Sequence, residues 1–210
     1  MYIPDAFAVS DEAEINDFLR RIPFGSLVTG GGGLASTHLP FLHDPQRGLL
    51  TAHMARVNPH HRAAGDGEAL VILQGPYAYV SPNWYPSKAL GGRVVPTWNY
   101  EAVHVYGRIA WREEADWLLD HLCALSARFE ADQPEPWSIK DAPATYVDRL
   151  VNGVIGVEFK IERIEAKRKL SQNKSEADRQ GVILGLAASL IGQDREIAEQ
   201  MKALSPKGAP

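Results

Sequence analysis

Residues 49–59 of this 210-residue chain read Leu-Leu-Thr-Ala-His-Met-Ala-Arg-Val-Asn-Pro, and they bring His53, Arg56 and Asn58 close together in sequence. An apolar strand runs into His53 and Arg56, and Asn58-Pro59 then opens a helical turn. Asn is a favoured N-cap and Pro is pre-organised for the first helical position. The first amides of a helix lack internal partners and carry the positive end of its dipole, so such a turn attracts anions. The Arg56 guanidinium adds a fork of donors matched to phosphate oxygens. The segment reads either as a phosphate-binding corner or as an ordinary strand-to-helix turn with a surface arginine.

Two aromatic clusters offer a second kind of chemistry. Ser81-Pro82-Asn83-Trp84-Tyr85 and Pro96-Thr97-Trp98-Asn99-Tyr100 bracket a segment rich in Gly and Pro. Each sets large rings beside amides and hydroxyls, the mixture that holds a planar heteroaromatic ligand by stacking and edge hydrogen bonds. The competing reading is that these rings anchor the loop to the core or fill a dimer interface. The run Lys167-Arg168-Lys169 has three readings: a solvated strand end, an arm reaching an anionic ligand, or a small nucleic-acid contact.

Other chemistries find no support. His60 and His61 are adjacent, so on a helix their side chains point about 100° apart and would not share an ion. No His-Glu-x-x-His occurs, and no metal site is expected. Cys123 lies mid-helix on a different face from His121, which suits a structural thiol. Gly-x-Ser-x-Gly and Gly-x-Gly-x-x-Gly are both absent, which removes a nucleophile elbow and a Rossmann dinucleotide site. The four glycines at 30–33 precede neither Gly-Lys-Ser/Thr nor a helix, so they fit a hairpin tip rather than a phosphate loop.

The elements that must position these residues can be traced along the chain. Ile15, Phe18, Leu19 and Ile22 follow the helical i, i+3, i+4, i+7 rule, Asp11 and Glu14 suit the helix start, and Pro23 ends it. Strands are expected at 24–29, 34–42, 48–55 and 68–76, with 77–82 continuing past a bend at Gly75-Pro76. A long loop is expected at 83–96, followed by strands at 102–111 and 154–164. Leu118, Leu122, Leu125 and Phe129 form one apolar stripe on a helix beginning near Glu114, and a shorter helix covers 138–150. Ser175 with Asp178 caps a further helix that Gly192 stops, and a last helix spans 194–204. Antiparallel strands with peripheral helices indicate an α+β protein built on a barrel. A single domain over 1–210 is expected, with a core over 1–165 and a helical extension over 166–210.

Composition narrows the classes. With 45% hydrophobic and 23% charged residues, the chain is ordinary for a globular protein. A net charge of −4 gives no overall basic field, which weighs against a strong autonomous nucleic-acid binder. The single cysteine leaves no internal disulfide and no cysteine zinc cluster. Neither a signal-peptide pattern nor the roughly 20 apolar residues of a membrane helix is present, so a cytoplasmic location is expected.

Several motifs occur together and in order: Met-Tyr-Ile-Pro at the start, His38-Leu39-Pro40-Phe41, His53–Pro59, Gly75–Pro82 with Trp84-Tyr85, Val95–Tyr100, and Lys169-Leu170-Ser171-Gln172-Asn173-Lys174. By these motifs the chain resembles the PaiB family of FMN-binding negative transcriptional regulators, from its first residues to about Leu186. The resemblance implies an antiparallel split β-barrel like that of pyridoxamine-phosphate oxidases and flavin reductases, forming a homodimer with FMN at the subunit interface. It places His53, Arg56 and Asn58 at the flavin phosphate, and the strand carrying Ser36-Thr37-His38-Leu39-Pro40 beside the ring. Trp98 and Asn99 would complete the pocket from either subunit, with Lys169 and Gln172 at the distal edge. His60-His61 stands where an aromatic residue is expected in many relatives. The implied role is negative regulation of transcription, with DNA a partner by family resemblance alone. The alternative is an FMN-dependent oxidoreductase of the flavin reductase or pyridoxamine-phosphate oxidase type, and a ligand-free interaction scaffold is a third reading.

Overall fold

A computed structural model describes residues 1–65 and 67–204. The chain opens with a short strand, β1 (Ala8–Val9), and helix α1 (Glu12–Arg21). Asp11 Oδ1 accepts the Glu14 amide at 2.9 Å and closes the first turn, and Pro23 follows the last one. Strands β2 (Phe24–Thr29) and β3 (Ala35–Pro40) pair antiparallel from Phe24↔Pro40 to Thr29↔Ala35, with the glycine run as the hairpin tip. Gly33 there has φ +108°, a conformation side chains resist. The return strand expected over 34–42 ends at Pro40. Leu42–Asp44 forms its own strand, β4, paired with β5 (Leu49–Ala55).

The remaining strands are long: β6 (Ala69–Val80), β7 (Thr97–Arg112) and β8 (Val154–Lys169). The sheet order is β3-β2-β6-β7-β8-β5-β4, with β1 paired to β8 outside that path. Gly75-Pro76 does not interrupt β6. The β2 register on β6 ends at Leu73, so Pro76 lies past that ladder and its missing amide costs no bond to β2. Helix α2 (His60–Ala63) is a single turn, whereas α3 (Ala115–Glu130), α4 (Ala144–Asn152), α5 (Glu176–Ala187) and α6 (Gly192–Ala203) are full helices. The segment expected as an 83–96 loop carries two 3-10 turns, Pro82–Trp84 and Pro86–Leu90. Ser175 caps α5 as expected, accepting the Asp178 amide at 3.2 Å. Gly192 opens α6 instead of stopping α5, which ends at Ala187. The punctuation is Ser189, whose hydroxyl accepts the Ile191 amide and donates to Asp194 at 2.6 Å. Residues 205–210 of the expected extension lie outside the described residues.

The described residues divide into two compact units, one of residues 1–15, 74–103 and 165–204, the other of 16–65, 67–73 and 104–164. In the second, Phe18, Leu27, Phe41, Leu50, Ile155 and Phe159 are buried. Each such side chain contributes roughly 1.5–3 kcal/mol by leaving water. Gly107 lets β7 approach β8, since a Cβ there would sit 1.9 Å from the Lys160 carbonyl oxygen. In the first unit, Ala78 and Val80 of β6 pack with Tyr85, Leu170, Val182, Ile183, Leu186, Ile197 and Met201. Trp84 lies against Gly181 and Gly185 of α5, where a Cβ would come within 2.3 Å of the indole ring or closer still to its carbonyl. The first aromatic cluster therefore anchors the loop to the core. Among the described residues, no helix is long and apolar enough to cross a membrane.

Candidate functional site

In the unit built from 16–73 and 104–164, the corner after β5 folds into a closed polar network. His60 is 3% exposed, and its ring nitrogens meet Thr29 Oγ1 at 2.9 Å and Thr37 Oγ1 at 2.7 Å. A neutral imidazole, with one nitrogen donating and the other accepting, is satisfied by two hydroxyls. Burial and the neighbouring His61 push the His60 pKa down, in keeping with that form. Asn58 Nδ2 donates to Thr37 Oγ1 at 3.1 Å, and Asn58 Oδ1 accepts the His60 amide at 3.0 Å. Asn58 thus closes a local turn ahead of the helix, and the N-cap is Pro59, not Asn58 as the sequence suggests, its carbonyl accepting the Arg62 and Ala63 amides. His61 contacts the Asn58 carbonyl at 2.7 Å and the edge of Trp111.

Arg56 donates to Glu113 at 2.7 Å and to the Asn152 carbonyl at 3.1 Å, with its side chain 34% exposed. His53 turns toward α3, where its Nδ1 lies 3.2 Å from His121 Nε2. His121 in turn reaches Thr51 Oγ1 at 3.2 Å and stacks under Trp117 with ring centroids 5.4 Å apart. Burial lowers the pKa of both histidines, that of His121 to about 4 with His53 contributing. His38 is exposed on β3, with Nδ1 2.8 Å from Ser26 Oγ and its ring over Phe24. Of the sequence-assigned residues in this unit, Asn58 alone joins the His60 network. His60, Thr29 and Thr37 were missed because their contacts are separated by more than 20 positions.

In the other unit, adjacent residues of β7 face opposite ways, as a pleated strand requires. Trp98 is 50% exposed and lies against Tyr77 and Tyr79, with ring centroids 6.0 and 5.7 Å apart. Asn99 is fully buried. Its amide bonds Ser171 Oγ through both ends, at 3.0 and 3.2 Å, and donates to Met201 Sδ at 3.4 Å. The turn after β8 is locked by Gln172, whose Oε1 accepts the Leu170 amide at 2.7 Å and whose Nε2 donates to the Arg168 carbonyl at 2.5 Å. Ser171 holds φ +63°.

The basic run before this turn folds inward. Lys167 is buried between the Tyr2 and Tyr100 rings and donates to the Tyr2 carbonyl at 3.2 Å. Arg168 pairs with buried Glu101 at 2.8 Å and with Glu14 at 3.1 Å. Lys169 donates to Thr97 Oγ1 at 2.6 Å and to the Trp98 carbonyl. A cavity of about 150 Å³ opens beside it, lined by Thr97, Asn99, Lys169, Ser171, Asn173 and Lys174. Burial, Lys167 and Lys174 together lower the Lys169 pKa. Lys174 was legible only as the last residue of its motif.

The fold is an α+β split barrel of the kind found in flavin-binding proteins, and known structures agree with it. A conserved hypothetical protein from Mycobacterium tuberculosis superimposes with TM-score 0.56 at 17% identity, covering 91% of this chain and 98% of that one. The flavocytochrome Anf3 from Azotobacter vinelandii gives 0.58 at 12% identity, covering 77% and 69%. In sequence, residues 1–163 match a family described as "Putative FMN-binding domain". The Protease synthase and sporulation protein PAI 2 of Bacillus subtilis (strain 168) is 35% identical over 206 residues, or 96% of this chain and 97% of that protein. The chain belongs to this FMN-binding family, and FMN is its cofactor.

Proposed function

We propose that this chain is a cytoplasmic, homodimeric FMN-binding protein that regulates transcription negatively. The observation that carries this reading is the 35% identity spread over nearly the whole length of both this chain and the PAI 2 protein of Bacillus subtilis. Relatedness of that extent is not confined to a flavin-sized segment.

The donor chemistry fits the cofactor. Arg56 is partly exposed and its carboxylate partner, Glu113, is itself 67% exposed, so a phosphate can displace that carboxylate at little cost. Trp98 with Tyr77 and Tyr79, and His38 with Phe24, present ring faces suited to a planar heteroaromatic ligand. In this reading Asn58 and His53 order the corner after β5 in one unit, and in the other Asn99 and Gln172 shape the turn after β8, with Lys169 beside it. Bound FMN supplies one- and two-electron redox chemistry, while the chain orients and shields it.

The test is a visible spectrum of the purified protein after FMN addition and desalting, with light scattering for the dimer. A retained flavin spectrum on a dimer is the expected result. Arg56→Ala is expected to weaken FMN binding roughly ten- to a hundredfold, the loss of a charge-assisted bond of about 1.5–3 kcal/mol. Unchanged affinity removes Arg56 from the site. For the regulatory role, sequence-specific operator binding that falls steeply with salt is expected. Binding indifferent to sequence, or steady NAD(P)H turnover without operator binding, favours the oxidoreductase instead.

A further inference from the structure

The cavity beside Lys169 and Lys174 gathers donors that are left over around one open space. Lys169 uses two of its three ammonium hydrogens on Thr97 and the Trp98 carbonyl. Thr97 accepts from that ammonium, so its own hydroxyl hydrogen remains available. The Lys174 ammonium rests 5.1 Å from the centre of the Tyr85 ring and has no hydrogen-bond partner among the described residues. Asn173 is exposed at the rim. Among the described residues, no carboxylate lines the cavity. The Asp178 carboxylate, which Lys174 helps to keep ionised, is buried and held by the Ser87 amide at 3.1 Å and hydroxyl at 2.8 Å.

The turn that presents these donors is held in advance. Ser171 occupies the left-handed region, which is strained for a non-glycine residue and persists only where surroundings over-determine it. The Asn99 brace, the Gln172 staple and a Lys174 amide bond to the Ser171 carbonyl at 3.0 Å supply that determination. Backbone strain fixed around two cations that no described carboxylate hydrogen-bonds is the arrangement of a preorganised anion site. Its volume is below the roughly 300–1,000 Å³ of pockets that engulf whole ligands, so it takes a head group.

We propose that this cavity binds a phosphate monoester as its dianion, with Lys169 and Lys174 supplying the two positive charges and Thr97 a neutral donor. That group has two sources: the terminal phosphate of FMN, which rests on the cofactor reading above but takes that phosphate from Arg56 to this cavity, or a separate phosphorylated metabolite, which leaves Arg56 its place.

The experiment uses the full chain and titrates inorganic phosphate by calorimetry, then FMN and riboflavin by fluorescence. Lys174→Gln is compared with Lys202→Gln, which makes the same change in net charge at an exposed lysine of α6. The Lys174 side chain makes no hydrogen bond among the described residues, and glutamine keeps the backbone amide, so the variant is expected to fold. Phosphate binding should saturate and weaken at least tenfold in Lys174→Gln while Lys202→Gln matches the parent. If phosphate competes with FMN and Lys174→Gln erases the preference for FMN over riboflavin, the flavin phosphate is the occupant. If phosphate binds FMN-loaded protein undisplaced and the variant keeps its FMN affinity, the occupant is a separate ligand. Lys174-dependent phosphate binding without retention of either flavin overturns the cofactor reading and leaves the site standing. Lys174→Gln and Lys169→Gln that bind phosphate, FMN and riboflavin as the parent does overturn the site.

Discussion

The His60 cluster and the Lys174 cavity are both polar and both sit where a strand ends, yet they are built on opposite principles. Around His60, the ring nitrogens, the Thr29 and Thr37 hydroxyls and the Asn58 amide meet one another, and the imidazole is kept neutral by burial. Around Lys174, the ammonium groups face a space instead of a carboxylate. A closed network spends its groups on one another and yields stability. An open donor set adds little to stability, because like charges repel, and retains its capacity for a partner. Polarity alone does not mark a functional site; the count of donors without partners does.

The largest expected effect lies on the closed side. His60→Ala removes a buried ring and takes the imidazole partner from the Thr29 and Thr37 hydroxyls, which should cost roughly 3–4 kcal/mol in urea unfolding. Lys174→Gln should move the same midpoint by no more than about 0.5 kcal/mol. Equal effects from the two substitutions would dissolve the distinction between the clusters.

Acid should act on the closed side next. His121 has a folded-state pKa of about 4 against an ordinary 6.5, through burial and the nearby His53. The unfolded chain therefore binds the proton more readily. The contribution is fully present above pH 6.5 and is lost as pH falls toward 4, in an amount of about 3 kcal/mol. His53, His60 and His43 are lowered by burial and add in the same direction. Unfolding midpoints at pH 7.5, 5.5 and 4.5 should fall in that order. His121→Gln should flatten the series, and an unaltered slope in that variant would assign the acid sensitivity elsewhere.

Which parts of this contrast the sequence carried follows from the range of the interactions. Pro23 after α1, the glycine hairpin tip, and Ser175 with Asp178 at α5 are local, acting within a turn or two of chain, and all are where the pattern puts them. Gly75-Pro76 and Gly192 misled because a breaker acts only where its neighbours need the missing bond. Pro76 lies past the β2 register, and Ser189 had already ended the preceding helix. Trp84 was ambiguous from composition, and only the facing glycines of α5, about 100 residues away, make it an anchor. The Lys174 cavity was the least legible. Its shape depends on a left-handed serine, where the usual signal is Gly or Asn, and on Asn99, which is 72 residues from its partner.

Ser171 offers the finest test, because two effects on stability oppose each other there. Ser171→Gly relieves the cost of φ +63°, about 1–3 kcal/mol, but deprives the buried Asn99 amide of its hydroxyl partner, a loss of similar size. The net change in unfolding free energy should stay within about 1 kcal/mol. Asn99→Leu in that background removes the orphaned amide while keeping the relief, so the double variant should be more stable than additivity allows, with a coupling of about 1 kcal/mol. Phosphate affinity should nonetheless fall severalfold in Ser171→Gly, because a glycine turn samples conformations in which Lys169 and Lys174 no longer face one cavity. An affinity equal to the parent's would mean that the turn holds its shape without the serine, and that the strain at Ser171 serves packing rather than the anion.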